Sequence, residues 1–168
     1  MNHLIRLIVL ILGGLITNIV IAATLAIDAQ ERGINSTCSS YLSQIEKSYD
    51  LTGLNITFAH PSDPSLYPSL HLSSKKYNNG SSVFSATLSP EGEYCYVSTV
   101  NVTLVQTQSC SDITILKVAE DPSLKVTNYA DGDYSIITSQ KNSYQMILIS
   151  NGELSCMMTE TRMMWPGR

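Results

Sequence analysis

Between Leu7 and Ala26 the chain carries twenty consecutive residues without a charge. In a helix rising about 1.5 Å per residue, such a run covers about 30 Å, the thickness of a bilayer's hydrocarbon core. A cleaved signal has a shorter apolar core, of roughly 7–15 residues. The length therefore predicts an anchor over residues 7–26, with residues 1–6 as a cytoplasmic start and residues 28–168 as a domain outside the membrane. Val20-Ile21-Ala22 and Thr24-Leu25-Ala26 have the small-x-small character of cleavage sites, so a removed leader stays open. The amino terminus, His3 and Arg6 precede the run, while Asp28, Glu31 and Arg32 follow it. The positive-inside bias then places the amino terminus in the cytoplasm and the bulk of the chain in the periplasm, across a bacterial inner membrane. Asn18 lies inside the run and is a candidate contact with a partner's membrane helix.

Cysteine usage agrees with that direction. Cys38, Cys95, Cys110 and Cys156 all follow the apolar run, and none forms a C-x-x-C pair. Zinc and thioredoxin-like spacings are thus missing, and two disulfides in an oxidising compartment are expected. Four cysteines allow three connectivities, and the sequence does not choose among them.

The remaining length suits one domain. Hydrophobic residues make up 43% and charged residues 14% of the chain, with a formal net charge of −4. Disorder and a basic nucleic-acid footprint are both disfavoured by these values.

Asp28–Gly33 reads as a linker. After it, Cys38, Tyr41, Leu42, Ile45 and Tyr49 recur at helical spacing, with Asn35, Ser36 and Thr37 as N-cap candidates and Gly53 as a stop. Leu54 to about Ala59 reads as a strand, and the Pro- and Ser-rich stretch from His60 to Ser82 as a long loop and candidate contact surface. VFSATL, YCYVSTVNVTLVQ and ITILKV are rich in β-branched and aromatic residues and read as strands. In the second, Tyr96, Val100, Val102 and Leu104 share one face, and Thr99, Asn101 and Thr103 share a second, wet one. From about Leu124 to Thr159, four further strand-like runs are separated at Asp131-Gly132, Gln140–Asn142 and Asn151-Gly152, predicting an antiparallel meander. The tight last turn sets Cys156 near Ile147, so Cys156 bridges to another element. The expected fold class is α+β: one amphipathic helix packed on an antiparallel sheet or partly closed barrel, joined by disulfides.

Few residues of the chain are placed for chemistry. His60 and His71, both in the expected loop, lack a third ligand at metal spacing and are candidates for pH response, since free imidazole titrates near pH 6.5. Asp131-Gly132-Asp133 resembles the start of a calcium loop without its downstream glutamate and reads as a turn. No catalytic or phosphate-binding motif occurs, so neither enzyme activity nor a cofactor or metal is expected. Sequons at Asn35, Asn55, Asn79 and Asn101 keep a glycoprotein reading open. Near the carboxyl terminus, Met157, Met158, Met163, Met164 and Trp165 offer either an adaptable partner contact, for which Met163, Met164 and Trp165 are the candidates, or a core cap.

A single apolar span, a six-residue cytoplasmic start and a small cysteine-bearing outside domain without catalytic motifs resemble the membrane-anchored accessory proteins that work beside ToxR-like transmembrane transcription activators. That group includes ToxS and the MyfF/PsaF type of fimbrial regulator. The resemblance lies in layout and size and extends over the whole chain. It implies a protein that binds the periplasmic part of a DNA-binding membrane partner and stabilises or activates it, so that fimbrial or virulence genes respond indirectly. Residues 1–6 are too few to touch DNA, in keeping with that division of labour. A pilin-like or adhesive fibre subunit is the main alternative, although Ile19 stands where a pilin processing motif counted from Gly14 places a glutamate. A secreted, non-enzymatic binding domain is the third.

Overall fold

The computed structural model describes residues 24–164. Leu7–Ala23 of the expected span, with Asn18, lie outside the described residues, as does Trp165. Among the described residues no helix is long and apolar enough to cross a membrane.

Eight strands build the domain: β1 (Leu54–Phe58), β2 (Ser69–Tyr77), β3 (Gly80–Glu91), β4 (Tyr94–Val105), β5 (Leu124–Tyr129), β6 (Tyr134–Ser139), β7 (Gln145–Ser150) and β8 (Cys156–Met164). They form a single antiparallel sheet in the order β1-β2-β3-β4-β8-β7-β6-β5. The sheet is open, with β1 and β5 at its edges. Among the described residues three helices accompany it: α1 (Leu25–Glu31), α2 (Ser36–Tyr49) and α3 (Cys110–Glu120).

The α+β class and the final meander agree with the sequence reading. The Asn35 side chain accepts from the backbone N–H groups of Thr37 and Cys38, which starts α2 where its apolar stripe begins. Along that stripe Cys38, Leu42 and Ile45 are buried, with Tyr41 and Tyr49 packed beside them. Both disulfides form, Cys38–Cys95 and Cys110–Cys156, so each pins the first turn of a helix to a strand.

Other expectations are corrected. Among the described residues there are three helices, not one. Asp28–Gly33 is no linker: Asp28–Glu31 belong to α1, and the chain turns at Arg32 and Gly33. The long loop shrinks to Ala59–Pro68, because Ser69–Tyr77 form β2 and place His71 on a strand. In that strand the inward positions Ser69, His71 and Ser73 are polar, which hid its alternation. ITILKV is helical: the hydroxyl of Ser109 accepts from the N–H of Asp112, and the Asp112 carboxylate accepts from the N–H of Ser109. A reciprocal cap of this kind outweighs the weak β preference of a short branched run. Helix α2 ends at Asp50 in the left-handed conformation (φ 50°), not at Gly53. Gly53 answers to packing, since a β-carbon there would stand 1.5 Å from the Ser74 carbonyl oxygen. Cys156 pairs in register with Ser150, and Ile147 with Thr159.

The topology contains a repeat. Each half is a disulfide-tied helix, α2 or α3, followed by a four-strand meander, with α1 added ahead of the first, and the last strands, β4 and β8, meet antiparallel at the centre. Matching Cys95 to Cys156 puts a pseudo-two-fold axis at the Val100–Thr161 pair. The sequence carries a faint trace of it: Thr37-Cys38-Ser39 answers Ser109-Cys110-Ser111, and Gly92-Glu93-Tyr94-Cys95 answers Gly152-Glu153-Leu154-Ser155-Cys156. Gly92 and Gly152 both turn with positive φ, at 60° and 101°.

Register also fixes the sides of the sheet. Val105 faces Cys156 across the β4–β8 pair, so Cys95 and Cys156 share one face, and α2 and α3 are both bonded to it. Two core clusters fill this face, one around Leu42, Phe84 and Val97, the other around Ile113, Ile137 and Leu148. The wet face of β4 is thereby reversed. Thr99 is buried on the helix side, while Tyr96, Val100, Val102 and Leu104 lie on the face without helices.

Candidate functional site

The apolar run enters the domain through α1, and this junction is tightly built. The Thr24 hydroxyl oxygen accepts from the Ile27 N–H at 3.2 Å. Glu46 of α2 receives the N–H groups of Leu25 and Ala26, the latter at 3.3 Å, so a carboxylate meets the positive end of α1. Leu25 and Ala29 are fully buried, and Ala26 nearly so. The Ile34 N–H closes the far end on the Ala29 carbonyl oxygen at 3.0 Å. Residues counted with the apolar span thus serve as core. Cleavage after Ala22 leaves α1 whole, whereas cleavage after Ala26 removes Thr24, Leu25 and Ala26.

The two histidines have different surroundings. His60 stays in the loop, where its Nδ1 accepts from the Asp63 N–H at 3.0 Å and its ring stacks on Tyr67 at 4.4 Å. His71 is completely buried, with Nδ1 3.2 Å from the Thr57 hydroxyl and Nε2 2.8 Å from the Ser69 hydroxyl. Burial lowers its pKa to about 4, with Asp28 opposing and Arg32 reinforcing that direction. The imidazole is therefore neutral at pH 7.

A third cluster was not anticipated from the sequence. Beneath the helices, where the two halves of the sheet meet, Arg162 pairs with Glu160 at 2.9 Å. Its guanidinium lies 5.2 Å from the Tyr144 ring centre and 5.9 Å from that of Tyr49. Burial, then the charge of Glu160, raises the Tyr49 phenol and pushes Tyr144 up to about 12. A cavity of about 210 Å³ opens beside it, lined in part by Lys117, Glu120, Tyr144 and Arg162. Its cations already have partners, because Lys117 pairs with Glu120 at 3.1 Å and Arg162 with Glu160. The network therefore acts as a polar clasp between the halves. The signal for it was the Glu160-Thr161-Arg162 alternation, which puts both charges on one side of a strand.

Among the described residues no helix lies on the opposite face. Leu54, Ile56 and Phe58 of β1 are exposed there, as are Val83, Ile147 and Tyr134. A depression of about 380 Å³ lies near its centre, lined by Val83, Val102, Leu104, Ile149 and Met157 with Ser81 and Asn151 among its polar lining. Of the carboxyl-terminal methionines, Met157 and Met163 fall on this face by alternation, and Met158 and Met164 on the helix side. The four cysteines are structural bridges. Among the described residues no group of His, Cys, Asp and Glu is placed to hold a metal ion. Comparison with models of protein families, with curated proteins and with solved structures finds no match.

Proposed function

We propose that this chain is a non-enzymatic accessory protein, anchored in the inner membrane, whose periplasmic domain binds a membrane-bound transcription regulator and stabilises or activates it. Fimbrial or virulence genes then respond to the regulator. The observation that carries this reading is the junction at α1. The apolar run passes without a spacer into a helix whose first residues are core, capped by Glu46. A domain held this way stays at a fixed distance from the membrane surface, within reach of a neighbour's juxtamembrane region. Asn18, Met163, Met164 and Trp165 are the residues assigned to partner contact. The layout resemblance to ToxS and the MyfF/PsaF type of regulator supports the same role.

The test is co-expression of the chain with the membrane-bound regulator encoded beside it, followed by regulator half-life and reporter transcription. Loss of this chain should shorten the half-life and lower transcription, and a variant with Leu25→Asp should behave like the deletion. A mature product that is soluble and begins near Ala23, or a regulator indifferent to the deletion, overturns the reading. Recovery in sheared surface fibres supports the pilin-like alternative instead.

A further inference from the structure

We propose that the uncovered face of the sheet is a homodimer interface, on which a second copy of this chain packs sheet against sheet. This assignment does not rest on the regulator reading, and it concerns a surface to which that reading assigns only Met163.

An antiparallel sheet with one covered face normally presents polar side chains on the other. Here the open side carries Leu54, Ile56, Phe58, Val83, Val102 and Ile147 along alternate positions of four strands. Eight strands about 4.8 Å apart and averaging about eight residues long span about 1,000 Å². That whole face, on which Ser85, Thr87, Thr159 and Thr161 stand among the apolar residues, meets the roughly 800 Å² that each partner contributes to a standard interface.

Two features select a second copy as the occupant. First, charge is confined to Lys76, Glu91 and Lys125, near the ends of their strands, so the centre opposes no self-association and offers no charge by which a different partner would be recognised. Second, a two-fold interface joins the same patch on both subunits. This patch already has a pseudo-two-fold axis at Val100–Thr161, so it offers similar strand arrays in either orientation. Sheet pairs stack about 10 Å apart at about −30°, because both carry the same twist.

The experiment uses the full chain in detergent micelles, with mass measured by light scattering up to about 100 µM. The wild type should have twice the 18.4 kDa chain mass. Val83→Glu and Ile147→Glu replace side chains that are 52% and 41% exposed in one copy, so the fold should survive. Circular dichroism and intact mass with both disulfides check that it does. Each buried carboxylate should weaken self-association about 100-fold or more. A photo-crosslinking residue at Ile147 should give a product of twice the chain mass. A monomeric wild type overturns the proposal. So does a dimer that persists in both variants, which would place the contact in the apolar run, and so does crosslinking at Ile147 only to a different protein.

Discussion

An imidazole held by two hydroxyls, with no dedicated charge partner, is a group that folding keeps neutral, and His71 is in that position. Its folded pKa is lowered to about 4, below the usual 6.5. The unfolded chain therefore binds the proton first on acidification. Stability is full above pH 6.5 and is lost progressively between about pH 6.5 and pH 4, by a total of about 3 kcal/mol. Thermal melts across that range should show the slope, and His71→Gln should flatten it. An unaltered slope in His71→Gln would remove His71 as the titrating group. At Gly53 the limit is space: the Ser74 carbonyl oxygen occupies the site of a β-carbon. Gly53→Ala should cost at least about 2 kcal/mol in denaturant melts, since backbone must move. The sequence offered both residues as features, His71 as a loop imidazole and Gly53 as a helix stop. Only the β1–β2 pairing gave them their roles, because both depend on an adjacent strand remote from them in sequence.

At the level of elements, legibility followed local chemistry. Helix α2 was readable because its cap and its stripe are both local, and the last meander because each turn announces itself. Strand β2 was hidden because its buried side chains are Ser69, His71 and Ser73, polar groups whose burial depends on neighbours. Helix α3 was hidden because Ile115 and Leu116 are exposed, so its apolar residues do not mark one face. Its capping box was the decisive local signal. Ser109→Ala should cost about 1 kcal/mol and speed hydrogen exchange through Cys110–Glu120. Helix α1 depends on Glu46 from another helix. Glu46→Ala should cost about 1–3 kcal/mol by leaving the N–H groups of Leu25 and Ala26 without their acceptor. Protease nicking within residues 24–31 reads that loss. An α1 as resistant as in the wild type would show that its apolar packing suffices.

For the whole molecule, the two disulfides hold equivalent joints of a repeated architecture. Opening Cys110–Cys156, which closes a loop of 46 residues, by paired serine substitution should cost about 3–4 kcal/mol. Because Arg162, Tyr49 and Tyr144 clasp the halves together, the loss should appear as one cooperative transition. A separate early melt of the second half would show that the clasp is weak. By itself, the sequence determined an uncharged run of spanning length, an α+β composition, hairpin turns at the Asn-Gly and Asp-Gly steps and an even cysteine set. Each of these is written in contiguous residues. The tertiary structure alone decided which cysteines pair, where the apolar run gives way to core at Leu25, and which side of the sheet the helices cover. Alternation along a strand defines two faces without naming the buried one. On β4 the aliphatic face was left open and the threonine face was covered, because Cys38 and Cys110 tie both helices to the side of Cys95 and Cys156.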